Sequence, residues 1–165
     1  MNENSMQNIT KIYLASDHAG FEMKEHLQDF LSKQHYEVVD HGNFEYDEDD
    51  DYPEFVAAVA QAVAIDHESR GIILGGSGQG EAIMANRFPG IRAVVFNGQY
   101  EPQDGREVPN EIVISREHND SNILSLGARF LNNEEAEEAV TLWLETAFSG
   151  EERHRRRNEE IDSMF

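Results

Sequence analysis

The chain has 165 residues, with 13 Lys and Arg against 33 Asp and Glu, for a formal net charge of −20. So acidic a chain excludes nucleic acid and anionic membrane as expected partners, since both need a basic face. There are no cysteines, which excludes disulfides, thiolate metal sites and a cysteine nucleophile, and fits a cytoplasmic protein. The length suits a single domain over 1–165, and 39% hydrophobic with 28% charged residues is ordinary for a globular chain. The opening MNENSMQNITK has no secretory pattern, and residues 1–10 read as a loose N-terminus. No apolar run is long enough to cross a bilayer.

Apolar runs then alternate with helical patterns. Lys11–Ser16 (KIYLAS) reads as a buried strand, and Phe21–Gln34 carries apolar residues at helical spacing. Tyr36–His41 is a second strand, followed by a helix over Pro53–Asp66. Gly71–Gly76 is a third strand, with a helix expected over Glu81–Phe88. Arg92–Asn97 and Asn122–Gly127 are the fourth and fifth strands. A helix over Asn133–Phe148, with Asn133 as its N-cap, follows. The alternation predicts one α/β domain: a Rossmann-like, doubly wound, mostly parallel five-stranded sheet with helices on both faces. Ligands of such sheets bind beyond the carboxyl ends of the strands, where SDHAG, GGSGQGE, NGQYEP and GAR are gathered.

The stretch LGGSGQGEAIMAN puts four glycines in the six residues Gly75–Gly80, followed by Glu81. A dinucleotide fingerprint would need a third glycine where Glu81 stands, and would follow the first strand rather than the third. A phosphate-binding Walker loop would need a Lys-Ser/Thr pair, which is missing. What remains is a turn that exposes backbone N–H groups at a helix start, with the Ser77 hydroxyl as a donor and Glu81 as a proton acceptor at its rim. The alternative is a tight strand-to-helix turn with Glu81 answering the helix dipole. Near the C-terminus, RHRRR places Arg153, Arg155, Arg156 and Arg157 within five positions. That cluster is either an anion clamp or a solvated helix pairing with Glu151, Glu152, Glu159 and Glu160.

Six blocks in order, SDHAGFEMKEHL, DDDYPEF, GGSGQGEAIMAN, PGIRA, REHNDSNILSLGAR and RHRRR, resemble the type B ribose-5-phosphate isomerases and the related galactose-6-phosphate and allose-6-phosphate isomerases. The resemblance runs from about Lys11 to about Ile161. It implies an aldose–ketose isomerase of phosphorylated sugars working through an enediolate, with ribose 5-phosphate as the leading substrate. Many members carry a cysteine base at the position of Gly75; this chain resembles the branch that uses a glutamate, here Glu81. Ser77 and the loop Gly76, Gly78, Gln79 and Gly80 would then stabilise the oxyanion.

The resemblance makes His118 the ring-opening acid and base. Asn97 stands where the cysteine branch tends to have a further histidine. It implies that Asp17, His18, Tyr52 and Asn119 bind the sugar, and that Arg129, Arg153, His154 and Arg157 hold the phosphate. It also implies a homodimer or a pair of dimers with the site at the interface, and no metal or cofactor. His26, His35, His41 and His67 match nothing and read as surface or core side chains. The run Asp47–Asp51 reads as a solvated acidic loop rather than a metal site. The chain departs from the family pattern over residues 98–110, an insertion rich in turn signals that stands between a strand end and His118. A hexose-6-phosphate isomerase and a non-catalytic sugar-phosphate binding protein are the alternative functions.

Overall fold

The computed structural model describes residues 9–107 and 109–164. The expected loose N-terminus therefore lies outside the described residues except for its last two positions. In chain order the elements are β1 (Lys11–Ser16), α1 (Phe21–Lys33), β2 (Glu37–Asp40), α2 (Tyr52–Ile65), β3 (Arg70–Gly75), α3 (Gln79–Ala85), β4 (Ala93–Phe96), α4 (Glu111–Glu117), β5 (Ile123–Gly127), α5 (Asn133–Glu145) and α6 (Glu152–Asp162). The five strands form one sheet in the order β2-β1-β3-β5-β4. Every pairing is parallel, so the sheet is wholly rather than mostly parallel.

This order dictates the layers. The chain steps outward from β1 to β2 through α1, then back across β1 to β3 through α2, and right-handed crossovers put those helices on opposite faces. One face is a core of Met23, Leu27 and Leu31 from α1, Ile112 from α4, and Ala136, Val140 and Trp143 from α5, laid on Ile12, Leu14, Ile72, Leu74, Leu124 and Leu126. The other packs Val56, Val59 and Val63 of α2 and Ala85 of α3 on Ala15, Ile73 and Ile123. Alternate strand residues thus feed alternate cores, as the pleat requires. Trp143 is fully buried, and its Nε1 donates to Ser121 Oγ at 2.9 Å.

Three local expectations are corrected. The N-cap of α5 is Asn132, not Asn133: its side chain accepts from Glu135 N at 2.9 Å, while the Glu135 carboxylate accepts from Asn132 N at 2.8 Å. The third helix begins at Gln79, two residues early, so Gln79, Gly80 and Glu81 are its first turn rather than loop. Residues 98–110 form no helix or strand among those described, but they lead into α4, a seven-residue helix absent from the pattern reading. Asn110 caps it, accepting from Ile112 N at 2.9 Å, and the Gln99 side chain accepts from Glu111 N at 2.8 Å. Among the described residues no helix is long and apolar enough to cross a membrane.

Candidate active site

The carboxyl ends of β1, β3 and β5 bring one group of the expected residues together. Asp17 follows β1 and is held by the turn it starts, accepting from Ala19 N at 2.9 Å and Gly20 N at 3.2 Å. That turn packs tightly, since a Cβ on Gly20 would stand 2.7 Å from the Leu74 carbonyl carbon. From β3 the chain passes through Gly75 and Gly76 into α3. Gly78 has φ +72, a left-handed conformation that glycine adopts without penalty. Its carbonyl accepts from the buried Ser125 Oγ at 2.7 Å, and the Ser77 carbonyl accepts from Asn97 Nδ2 at 3.0 Å. The glycine loop is thus pinned from β5 and from the end of β4.

Gly75 has a second role. A Cβ built on it would lie 1.7 Å from Glu81 Oε1. The Glu81 carboxylate therefore fills the space of a side chain at position 75, the position at which the resembled family often carries its cysteine. Glu81 is 4% exposed. Burial pushes its carboxyl above the ordinary carboxylate range, its own backbone N–H pulls partly back, and the charge of Asp17 adds to the rise. Tyr52, at the start of α2, lays its hydroxyl on the loop, so that a Cβ on Gly80 would stand 2.3 Å from it. Arg129, two residues beyond β5, reaches back over Gly76, with the guanidinium carbon 2.9 Å from a Cβ built there.

His18 stands beside Asp17 and is held by Asp50, which accepts from the His18 backbone N–H at 2.9 Å and lies 2.8 Å from the ring Nδ1. Asp50 is therefore an exception to the solvated acidic loop, its side chain being 8% exposed. The hydrogen bond to Asp50 raises the His18 pKa; burial opposes it, the charges of Asp17 and Asp50 add to it, and Arg129 lowers it. Asp17, His18 and Asp50 bring one donor atom each within 4.8 Å of one another, a spacing that a cation could bridge. Two of the three are already joined directly, His18 Nδ1 and Asp50 Oδ1 lying 2.8 Å apart.

The second group lies elsewhere. His118 and Asn119 follow α4 and precede β5, which places them at the opposite, amino edge of the sheet. Arg92, which immediately precedes β4, marks that edge: its Nε donates to the Asn119 and Asp120 carbonyls at 3.0 and 3.1 Å. Helix α6 packs there as well, with Asn158 Nδ2 donating to the His118 carbonyl at 3.3 Å and Arg92 pairing with Asp162 at 2.9 Å. The His154 ring stacks on His118 with centroids 4.0 Å apart and planes 10° from parallel. His154 is 5% exposed. Burial, followed by the charges of His118 and Arg153, lowers its pKa. Arg153 and Arg157 are exposed; Arg153 pairs with Glu151 at 2.9 Å, and among the described residues no carboxylate pairs with Arg157.

At about 3.3 Å per residue, the five residues of β5 separate the two edges by about 15 Å. Within one chain, then, Glu81, Ser77, Asp17, His18, Tyr52 and Arg129 form one constellation, and His118, Asn119, Arg153, His154 and Arg157 form another. Asp50 and Ser125 are site-building residues that the motifs do not single out, and Asn97, noted there only for the histidine it replaces, pins the glycine loop. Of the 98–110 insertion, Gly98, Gln99 and Asn110 line a cavity of about 280 Å³ with Phe96, Leu131 and Leu142.

A family model described as Ribose/Galactose Isomerase matches residues 12–161. The ribose-5-phosphate isomerase B of Mycolicibacterium paratuberculosis is 39% identical over 147 residues, covering 89% of this chain and 86% of its own length. The solved structure of the Clostridium thermocellum ribose-5-phosphate isomerase B matches with a TM-score of 0.83 at 41% identity, covering 93% of this chain and 96% of that one. That of the Mycoplasma genitalium ribose-5-phosphate isomerase B, with bound ribulose-5-phosphate, matches with a TM-score of 0.83 at 30% identity, covering 93% and 95%.

Proposed function

Because the chain belongs to the ribose/galactose isomerase family, we propose that it interconverts ribose 5-phosphate and ribulose 5-phosphate, with Glu81 as the base. The observation that carries this assignment of the base is the Glu81 carboxylate in the space of a residue-75 side chain, desolvated beside Asp17. In the aldose-to-ketose direction Glu81 takes the proton from C2. The electron pair forms the C1–C2 double bond of the enediolate and negative charge develops on O1. The O2 hydroxyl proton then passes to O1, and as the C2 carbonyl forms Glu81 returns its proton to C1. A carboxylate raised above its ordinary range is better matched to this proton than an exposed one. Ser77 and the backbone of Gly76, Gly78, Gln79 and Gly80 face the developing charge, and one such donor contributes roughly 3 kcal/mol. Asp17, His18 and Tyr52 orient the sugar hydroxyls.

His118 opens the furanose ring, taking the anomeric hydroxyl proton and delivering one to the ring oxygen. Arg129, Arg153 and Arg157 hold the phosphate beside His154, and Asn119 binds the sugar. As His118 and Glu81 stand at opposite edges of one sheet, the working site combines the carboxyl edge of one copy with the amino edge of a second, in a homodimer or a pair of dimers. A coupled assay on ribose 5-phosphate, allose 6-phosphate and galactose 6-phosphate tests the assignment. Turnover of ribose 5-phosphate with the highest kcat/KM is expected; no turnover of any of the three overturns it.

A further inference from the structure

Asp50 sits in an acidic run, yet it behaves as part of the fold. One carboxylate oxygen accepts two hydrogen bonds from one residue, the backbone N–H and the ring Nδ1 of His18, at 2.9 and 2.8 Å. The other accepts from Asn43 Nδ2, and Asn43 is itself 5% exposed. Asp47, Asp49 and Asp51 around it are exposed. His18 is thereby fixed in both position and ring orientation: Nδ1 is turned to Asp50, and Nε2 has no protein partner among the described residues. Tyr46 meets the ring edge-on, with centroids 6.5 Å apart. The charged groups around the imidazole are Asp17 on its own turn, Asp50 on the acidic loop and Arg129 beyond β5.

We propose that Asp50 is a positioning residue for the isomerisation, clamping His18 by ring and backbone so that the imidazole meets the substrate as a cation with Nε2 donating to it. This rests on the isomerase reading above. A carboxylate on Nδ1 fixes the tautomer and favours the doubly protonated ring, while the bond to the main chain removes rotational freedom that would weaken the donor. A fixed positive donor also matches the chemistry: the substrate carries a phosphate and develops an oxyanion, yet Asp17 and Glu81 make this half of the site acidic. Arg129 is the other cation there, and it is exposed.

His18 would be charged below its raised pKa and lose its charge as pH rises through it, so turnover that needs the cation has an alkaline limb at that pKa. Two measurements on the full-length protein test this. The first is an NMR titration of the His18 ring, assigned with His18→Asn. The second is the pH profile of kcat/KM with ribulose 5-phosphate as substrate, which is open-chain, so that proton transfer comes before any ring step at His118. In the wild type the His18 midpoint and the alkaline limb should coincide, above the ordinary histidine value. In Asp50→Asn both should move down together, and kcat/KM on the alkaline side should fall about tenfold for every pH unit that the limb moves. Asp49→Asn removes the same charge from the same loop and should leave both where they are. A His18 midpoint unmoved in Asp50→Asn, or one that moves while the limb stays, overturns the proposal. If Asp50→Asn does not fold, the wild type decides alone, because a limb that fails to coincide with the His18 midpoint is equally fatal. The NMR readout needs no turnover, so it separates failure of this proposal from failure of the isomerase reading.

Discussion

At the scale of single residues, a glutamate that is 4% exposed and shares its surroundings with Asp17 is held charged against its own desolvation. Its folded pKa lies above the unfolded value, so the ionised form lowers stability at neutral pH, and that loss disappears once the carboxyl is protonated in both states. Glu81→Gln should therefore abolish turnover with little change in substrate affinity while raising Tm at pH 7. A gain of ~1 kcal/mol would appear as about 2–4 °C in a chain of this size. Thermal scans at pH 7 and at an acid pH check the sign, since the advantage should shrink as pH falls through the Glu81 pKa. The same raised pKa predicts an acid limb in kcat/KM at a higher pH than an exposed glutamate would give. Gly75→Ala tests the geometry: a methyl 1.7 Å from Oε1 must displace the carboxylate. We expect kcat to fall by at least about tenfold, as small misplacements at a reacting centre do, with the circular dichroism spectrum unchanged.

Among the elements, α5 shows how local chemistry fixes a boundary. Asn132 and Asn133 are adjacent and alike, but the reciprocal bonds with Glu135 belong to Asn132. Asn132→Ala should cost about 1 kcal/mol by chemical denaturation, and Asn133→Ala a few tenths at most. The strands were legible because buried parallel strands are short apolar runs, and LAS, ILGG and LSLG have few other solutions. Helix α4 was not, because seven residues behind a polar insertion are too few to display a period. The carboxyl-edge half of the site was legible for a topological reason: Asp17, Ser77 and Arg129 each stand one or two residues beyond the carboxyl end of a strand. The same rule could have set His118 apart, since EHND precedes a strand and so belongs to the other edge. Asp50 was hidden because nothing in DEDDD distinguishes one aspartate from its neighbours until the loop folds onto His18. For α6, Arg155 pairs with Glu152 and with Glu159 at 4.0 Å along its own helix. If Arg153 and Arg157 hold the phosphate as proposed, steady-state kinetics should show KM raised for Arg153→Ala and Arg157→Ala by about one to two powers of ten, from roughly 1.5–3 kcal/mol per charged contact. Arg155→Ala should leave KM near the wild-type value; equal losses in all three would mean that diffuse positive charge draws the phosphate in.

At the scale of the molecule, two half-sites about 15 Å apart on one sheet make a definite demand on assembly. Glu81→Gln and His118→Asn should each be inactive on ribose 5-phosphate alone. Unfolded together and refolded as a mixture, they should recover about a quarter of wild-type activity, because half of the dimers are mixed and one of their two sites is intact. No recovery would put both residues in the same copy's site. The carboxylate that occupies the position-75 side-chain space has one more consequence, for chemical durability. Where a thiolate would serve as base, peroxide carries it to sulfenic and then sulfinic acid, and alkylating agents cap it. A chain with no cysteine offers neither reaction. Its isomerisation should pass unchanged through iodoacetamide and through peroxide doses that silence a thiol-dependent relative, so that carbon flow through this step continues during oxidative attack.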